Sequence, residues 1–144
     1  MIQEIIKIAA EAGFDIVPLI NHHALNVKLD EYVNTGKEGL FIMLPETEER
    51  RTRIYDQAHT AMIELVASSQ TSFSSDDVTD FYNVNDAAES LKKKLEDVIT
   101  ALYDSGQFEN ASLRIRFRIY PYRYDSFQTV VTVTFELTKS VSPC

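Results

Sequence analysis

The stretch NVNDAAESLKKKLEDVITALYDSG, from Asn83 to Gly106, is the strongest structural signal in the chain. Its apolar residues recur at steps of three and four, which places them along one side of a helix. They are Val84, Ala88, Leu91, Leu95, Val98 and Leu102, with Ala87, Ile99 and Ala101 widening the stripe. The remaining arc is charged or polar. The pattern therefore predicts a long amphipathic helix that buries one face.

Both ends of this helix carry boundary signals. Asp86 is followed three residues later by Glu89, which is the spacing of a capping box, and Asn83 and Asn85 are alternative caps. Gly106 can adopt the left-handed conformation that ends a helix. These residues predict a helix that begins near Asn83 and ends before Gly106.

Length and composition predict one globular domain. The chain has 144 residues, of which 44% are hydrophobic and 25% charged, as in ordinary globular proteins. We expect a single domain over residues 1–139 and a flexible tail over 140–144. The net charge of −8 repels nucleic acid and anionic membranes on average. Cys144 is the single cysteine, which excludes an internal disulfide and favours a reducing compartment.

The N-terminal third contains weaker signals. Residues 2–12 have helical spacing, and Gly13 supplies a stop. In the apolar segment FDIVPLI, Pro18 cannot donate to a strand ladder, so the segment is an edge strand or a connector. Between residues 21 and 37 the apolar residues have no regular spacing, although a short helix over 29–33 is compatible with the sequence. GLFIMLP, from Gly39 to Pro45, has the length and apolar character of a buried strand.

Residues 46–69 fit two structures. Helical spacing collects Ile54, Ala58, Ala61, Met62 and Leu65. Strand alternation instead separates His59, Ala61, Ile63, Leu65 and Ala67 from Thr60, Met62, Glu64 and Val66. Periodicity alone does not choose between them. The following segment, SQTSFSSDDVTDFYN at 69–83, is typical of a surface loop.

The C-terminal region predicts an antiparallel hairpin. Leu113, Ile115, Phe117 and Ile119 alternate with Arg114, Arg116 and Arg118, and Val131, Val133, Phe135 and Leu137 alternate with polar neighbours. The sequence thus indicates an α+β fold with about four strands in a mostly antiparallel sheet. The long helix and the short N-terminal helix are expected to pack on one face of it.

The chain lacks a recognisable catalytic signature. Its four glycines cannot form a P-loop or a dinucleotide fingerprint, and its three histidines do not have metal-ligand spacing. Asp76, Asp77 and Asp80 suit the positive end of a helix dipole better than a calcium loop. We therefore expect no catalysis, no cofactor and no metal.

A row of arginines is the most distinctive surface feature. Arg114, Arg116 and Arg118 share one strand face, and Tyr120, Tyr122, Arg123 and Tyr124 follow them. Three interpretations remain open: a solvated strand face, a subunit interface rich in Arg and Tyr, or a surface that stacks on nucleic-acid bases.

The order of these segments resembles the small head–tail connector, neck and tail-terminator proteins of tailed bacteriophages, in particular those of Bacteroidetes phages. The likeness lies in the FIMLP strand, a TAMIELVAS strand, the Ser/Asp loop, the long helix ending at LYDSG and the terminal hairpin, and covers residues 38–138. It favours a charged connection at 46–52 and a strand over 57–68.

The resemblance implies a structural role in the virion, after assembly in the host bacterial cytoplasm. Such proteins form homo-oligomeric rings that join or close the DNA channel, next to portal or tail-tube proteins, and contact DNA only in passing. The expected contact residues are Arg114, Arg116, Arg118, Tyr120, Tyr122, Arg123, His22 and His23. Alternatives are an adaptor or inhibitor that binds a host protein through the C-terminal hairpin, and a nucleic-acid binder that uses the Arg/Tyr strand.

Overall fold

The computed structural model of the chain describes residues 2–32, 38–44, 46–51, 57–71, 77–108, 116–123 and 128–141. The helices in these ranges are α1 (Ile2–Glu11), α2 (His22–Glu31) and α3 (Asp77–Asp104). The strands are β1 (Val17–Leu19), β2 (Gly39–Met43), β3 (Glu46–Arg51), β4 (Gln57–Gln70), β5 (Arg116–Arg123) and β6 (Gln128–Val141). All six strands belong to one sheet.

The sheet is organised on the antiparallel ladder between β4 and β6. Its register extends from Gln57 opposite Val141 to Gln70 opposite Gln128, and so uses the full length of both strands. β5 pairs with the other edge of β6, while β2 and β3 both pair with the far edge of β4. β1 joins β2 in parallel at the edge, in agreement with the position that Pro18 predicts. The predicted α+β class is confirmed, and the mostly antiparallel sheet has six strands where about four were expected.

The strand at residues 57–68 is confirmed, but the expected charged connection at 46–52 is wrong. Residues 46–51 form β3, which pairs along β4 down to Gln57. Ile42 lies opposite Leu65, and Glu46 lies opposite Met62. Between these two pairs the chain moves four positions from β2 to β3 but only three positions along β4. This one-residue shift is a bulge between two segments of one edge. Charged residues are tolerated in β3 because it is an edge strand.

A helix occupies part of the segment where no pattern was recognised. α2 begins after Asn21, whose side-chain oxygen accepts a hydrogen bond from the Ala24 amide at 2.9 Å. It ends at Glu31, so the helix suggested over 29–33 was placed too late. Strands β1 and β2 are parallel and therefore need a crossover between them, which α2 provides.

One face of the sheet, here called the front face, carries α1 and α3, as predicted. Alternate residues of β2, β4 and β6 meet the apolar stripe of α3 in the main core: Leu40, Ile42, Ala61, Ile63, Leu65, Ala67, Val131, Val133, Phe135 and Leu137 against Ala88, Leu91, Leu95, Val98, Ile99 and Leu102. α1 adds Ile5 and Ala9, and Lys139 bonds Glu4 at 2.6 Å to hold this helix on β6.

The opposite, back face carries α2 over part of its area. A second cluster joins Leu25 and Leu29 of α2 to Phe41, Met43, Val66 and Val130 of the sheet. Since α2 lies over this region alone, the back face is covered unevenly.

The predicted helix stops are confirmed. Gly13 and Gly106 both have positive φ, of 95° and 71°. After α1, the Phe14 amide donates to the Ala9 carbonyl at 2.8 Å and the Gly13 amide donates to the Ala10 carbonyl at 3.0 Å. These two bonds form a Schellman motif, which satisfies carbonyl groups that the helix end would leave unpaired.

The predicted start of α3 is wrong. The helix begins at Asp77, so Asn83, Asn85 and Asp86 lie inside it rather than at its cap. β4 likewise continues to Gln70, into the segment expected to be a loop. The first turns of α3 were not predicted because the Ser, Thr and Asp residues around Val78 and Phe81 favour a loop.

The boundary of the expected C-terminal tail also changes. Ser140 and Val141 belong to β6, where they lie opposite Ala58 and Gln57. Backbone pairing in a long ladder supplies hydrogen bonds that the local sequence, KSVSPC, does not signal.

The core model predicts that Leu95→Ala destabilises the fold strongly. Leu95 is fully buried in the main core, so truncation leaves a cavity and should lower the free energy of unfolding by about 2–5 kcal/mol. Urea denaturation measures this loss. The control is Lys93→Ala on the exposed side of α3, with an expected change within about 0.5 kcal/mol. Equal effects of the two variants would contradict the assigned helix face.

Candidate interaction surface

The predicted arginine row lies on β5, at the edge of the sheet. The β5 register places Arg116 opposite Thr134, Arg118 opposite Thr132 and Tyr120 opposite Val130. These partners alternate with the residues of β6 that enter the main core, so the Arg116, Arg118 and Tyr120 positions belong to the back face.

The remaining predicted contact residues divide into three groups. Tyr122 lies within the register shift between Tyr120 and Arg123, and Arg123 resumes the pairing opposite Gln128. His22 and His23 are the first residues of α2. Arg114 lies outside the described residues.

One cross-strand row connects His22 with the position of Arg116 on the same face. Nε2 of His22 lies 3.1 Å from Oε1 of Glu64, which sits on β4. Glu64 is opposite Thr134, and Thr134 is opposite Arg116. The back face therefore carries a polar row that leads from the start of α2 to the edge strand β5.

An apolar groove lies beside this row. It has a volume of about 340 Å³ and is lined by Ile20, Met43, Leu44 and Met62 together with His22, Glu64 and Thr134. Ile20, Leu44 and Met62 are 49–76% exposed although all three are large apolar side chains. We call these three residues the back groove. Ile20 directly follows β1, Leu44 directly follows β2 and Met62 lies on β4, so the folded sheet brings them together.

A second exposed apolar surface lies at the beginning of α3. Val78, Phe81 and Tyr82 occupy positions i, i+3 and i+4, which share one side of a helix, and each is 60–66% exposed. The rings of Phe81 and Tyr82 meet edge to face, with centroids 5.7 Å apart. We call these three residues the helical stripe. The first fully buried residue along the described part of α3 is Ala88, so the stripe precedes the part of the helix that packs on the core.

Neither the helical stripe nor the back groove was predicted from the sequence. Val78, Phe81 and Tyr82 have a helical spacing that was available in the sequence, but the surrounding Ser, Thr and Asp residues favoured a loop. The back groove has no local signal, because its three residues are separated by up to 42 positions.

Neither a metal-binding cluster nor a membrane-spanning helix is found among the described residues. Across the ranges that the structure describes, no group of three or more His, Cys, Asp or Glu residues is placed to hold a metal ion. The same ranges contain no helix that is long and apolar enough to cross a membrane. Burial raises the pKa of Tyr103, but this residue packs against the main core, away from the back groove.

Comparison with known proteins gives no family for this chain. A scan against protein-family models finds no match, and a search of curated proteins finds no match.

The half-exposed contact between His22 and Glu64 is expected to contribute little to stability. A double-mutant cycle with His22→Ala and Glu64→Gln should give a coupling energy of about 0.2–1 kcal/mol, measured by urea denaturation near neutral pH. The surface pair Lys28–Glu31 on α2 is the matched control. A coupling energy several times larger would mean that the pair holds α2 on the sheet and is not available to a partner.

Proposed function

We propose that this protein is a structural component of a tailed-phage virion, in a neck, connector or tail-terminator ring that joins or closes the DNA channel. Its function is to assemble with copies of itself and with neighbouring virion proteins, without catalysis. The proposal rests first on the resemblance of its element order to those proteins. The order of a long helix followed by a terminal hairpin agrees with α3, β5 and β6.

The observation that carries the proposal is the presence of two different exposed apolar surfaces on one chain. The helical stripe and the back groove each expose three large apolar side chains, which a chain that works alone would gain by burying. The stripe belongs to the helix on the front face, whereas Met62 of the groove belongs to the back face. Two different patches on each copy suit head-to-tail contacts, which close into a ring when the rotation between copies allows it.

The net charge is compatible with this role. A charge of −8 gives an assembled channel an acidic character, which repels DNA and lets it slide rather than bind. The groove itself contains few charges, with Glu64 adjacent to His22. A ring around passing DNA needs apolar contacts between its copies, and it needs an acidic channel surface that repels the DNA.

The helical stripe supplies a direct test. The purified full chain should form a discrete oligomer in light scattering and closed rings in electron micrographs. Phe81→Ser combined with Tyr82→Ser should weaken assembly by at least about tenfold, because large aromatic side chains dominate most interfaces. The stability of the single chain should change little, since both side chains are mostly exposed.

The control for this test is Val27→Ser, which removes an exposed apolar side chain from α2, outside both surfaces. It should assemble like the natural chain. A natural chain that stays monomeric at all concentrations would contradict the proposed function, and so would enzymatic turnover in a pocket unrelated to assembly.

A further inference from the structure

The helical stripe and the back groove have complementary chemistry. The stripe offers the aromatic rings of Phe81 and Tyr82, and the groove is lined by the thioethers of Met43 and Met62. Methionine side chains adapt to irregular surfaces, and their sulfur makes favourable contacts with aromatic rings. Both surfaces are exposed on a single chain, so neither covers the other. The partner of each surface therefore comes from outside the chain.

We infer that the helical stripe of one copy docks in the back groove of the next copy. The occupant of each groove is a second copy of this chain, which enters it with the first turns of α3. The inference rests on the self-assembly of the proposed function and specifies the contact that builds the ring. Since the stripe and the groove are different surfaces, each copy uses both, and the contact repeats until the rotation between copies closes it.

The first turns of α3 are suited to a groove. Val78, Phe81 and Tyr82 occupy positions i, i+3 and i+4, which is the spacing with which amphipathic helices anchor in apolar grooves. From Val78 to Ala87, all of which the structure describes, no side chain is buried. About 15 Å of helix therefore precedes the part that packs on the main core. A partner can cover this length without displacing any core residue.

Apolar surface extends beyond the back groove. A second depression of about 260 Å³ adjoins it, and Ile20 and Leu44 line both. The other residues of this second depression are all apolar: Ile2, Pro18, Leu19 and Ile42. Ile20 and Leu44 therefore have apolar surface on two sides, and a continuous exposed apolar surface of this kind marks a protein interaction site.

The polar end of Tyr82 also has a partner in the groove. A tyrosine hydroxyl needs a hydrogen-bond partner when its ring is buried, and the groove is lined by the carboxylate of Glu64, which is 31% exposed. Oε1 of Glu64 lies 3.1 Å from Nε2 of His22, and a carboxylate accepts several hydrogen bonds, so the tyrosine hydroxyl can donate to the same group. The contact then sets Tyr82 beside Glu64 and Phe81 beside Leu44.

The area of the two rings agrees with the centre of a larger interface. A buried aromatic side chain covers about 150–250 Å², and 60–66% of each ring is exposed, so docking removes about 200–300 Å² of the rings from water. A standard interface buries about 800 Å² on each partner, of which the rings supply about a third. Aromatic anchors that fill a pocket at the centre carry most of the binding energy of many interfaces.

Mixing two assembly-defective variants tests the inference. The stripe variant combines Phe81→Ser with Tyr82→Ser and keeps an intact groove, whereas the groove variant combines Leu44→Ser with Met62→Ser and keeps an intact stripe. Each variant alone should sediment as a monomer at concentrations at which the natural chain forms rings. An equimolar mixture should form a dimer and nothing larger, because one intact stripe meets one intact groove and the other two surfaces are defective.

The mixture distinguishes this contact from a symmetric one. If two stripes met each other, the groove variant would dimerise by itself, and this result would overturn the inference. Two variants that are monomeric alone and form no dimer when mixed would also overturn it.

Cysteine crosslinking protects the test against a variant that misfolds. In a Cys144→Ser background, a chain with Met62→Cys is mixed with a chain with Tyr82→Cys under mild oxidation. Adjacent thiols in an assembly have a high effective concentration, so crosslinked dimers should exceed those of the control by at least about tenfold. The control mixes Met62→Cys with Lys93→Cys, which lies on the exposed side of α3. Equal yields from the two mixtures would overturn the contact.

Mass measurement of the natural chain and the groove variant separates the two proposals. Rings that form equally well from both would overturn the contact between stripe and groove and leave the proposed function intact. A natural chain that remains monomeric would overturn both.

Discussion

The antiparallel ladder between β4 and β6 is the contact on which the rest of the structure depends. Every residue from Gln57 to Gln70 has a partner on β6, which gives a strand pair about 46 Å long. α3, with 28 residues, is about 42 Å long and therefore matches the ladder in length. The buried apolar residues of α3 pack on alternate residues of both strands, so this helix and these two strands form most of the main core.

The same ladder determines which edges and faces remain open. β4 receives β2 and β3 on its far side, and β6 receives β5, so β5 lies at one lateral edge while β1 and β3 lie at the other. Hydroxyl pairs close the ladder near both ends: Thr60 with Thr138 at 3.1 Å and Thr71 with Thr129 at 2.5 Å. On the back face, α2 covers Val66 and Val130 but leaves Met62 exposed. The uncovered area is the source of the back groove.

The sequence predicts an element well where one face of a regular structure is buried. The spacing of Leu91, Leu95 and Leu102 predicts α3, and the alternation that includes Val131 and Val133 predicts β6. α2 is harder to predict because, among its side chains that the structure describes, Leu25 and Leu29 alone are fully buried. β3 has no apolar residue at all, and its position is set by pairing with β4 rather than by local preference.

The candidate surface was predictable only in part, for related reasons. The alternation of arginines predicts that Arg116 and Arg118 share one strand face, and the register places both opposite back-face residues of β6. It could not give the edge position of β5, which depends on the strand order of the whole sheet. The back groove combines Ile20, Leu44 and Met62, whose exposure is a tertiary property without a local pattern.

Hydrogen exchange of the full chain, compared between dilute and concentrated solution, tests the central claim most directly. If the sheet is a scaffold for self-association, amides of β4 and β6 are slow at both concentrations, since they are already paired within one chain. Amides of residues 78–82, which carry the helical stripe, should become slower only in the concentrated sample. Exchange that is independent of concentration along the whole chain, in particles with the mass of one copy, would contradict the account.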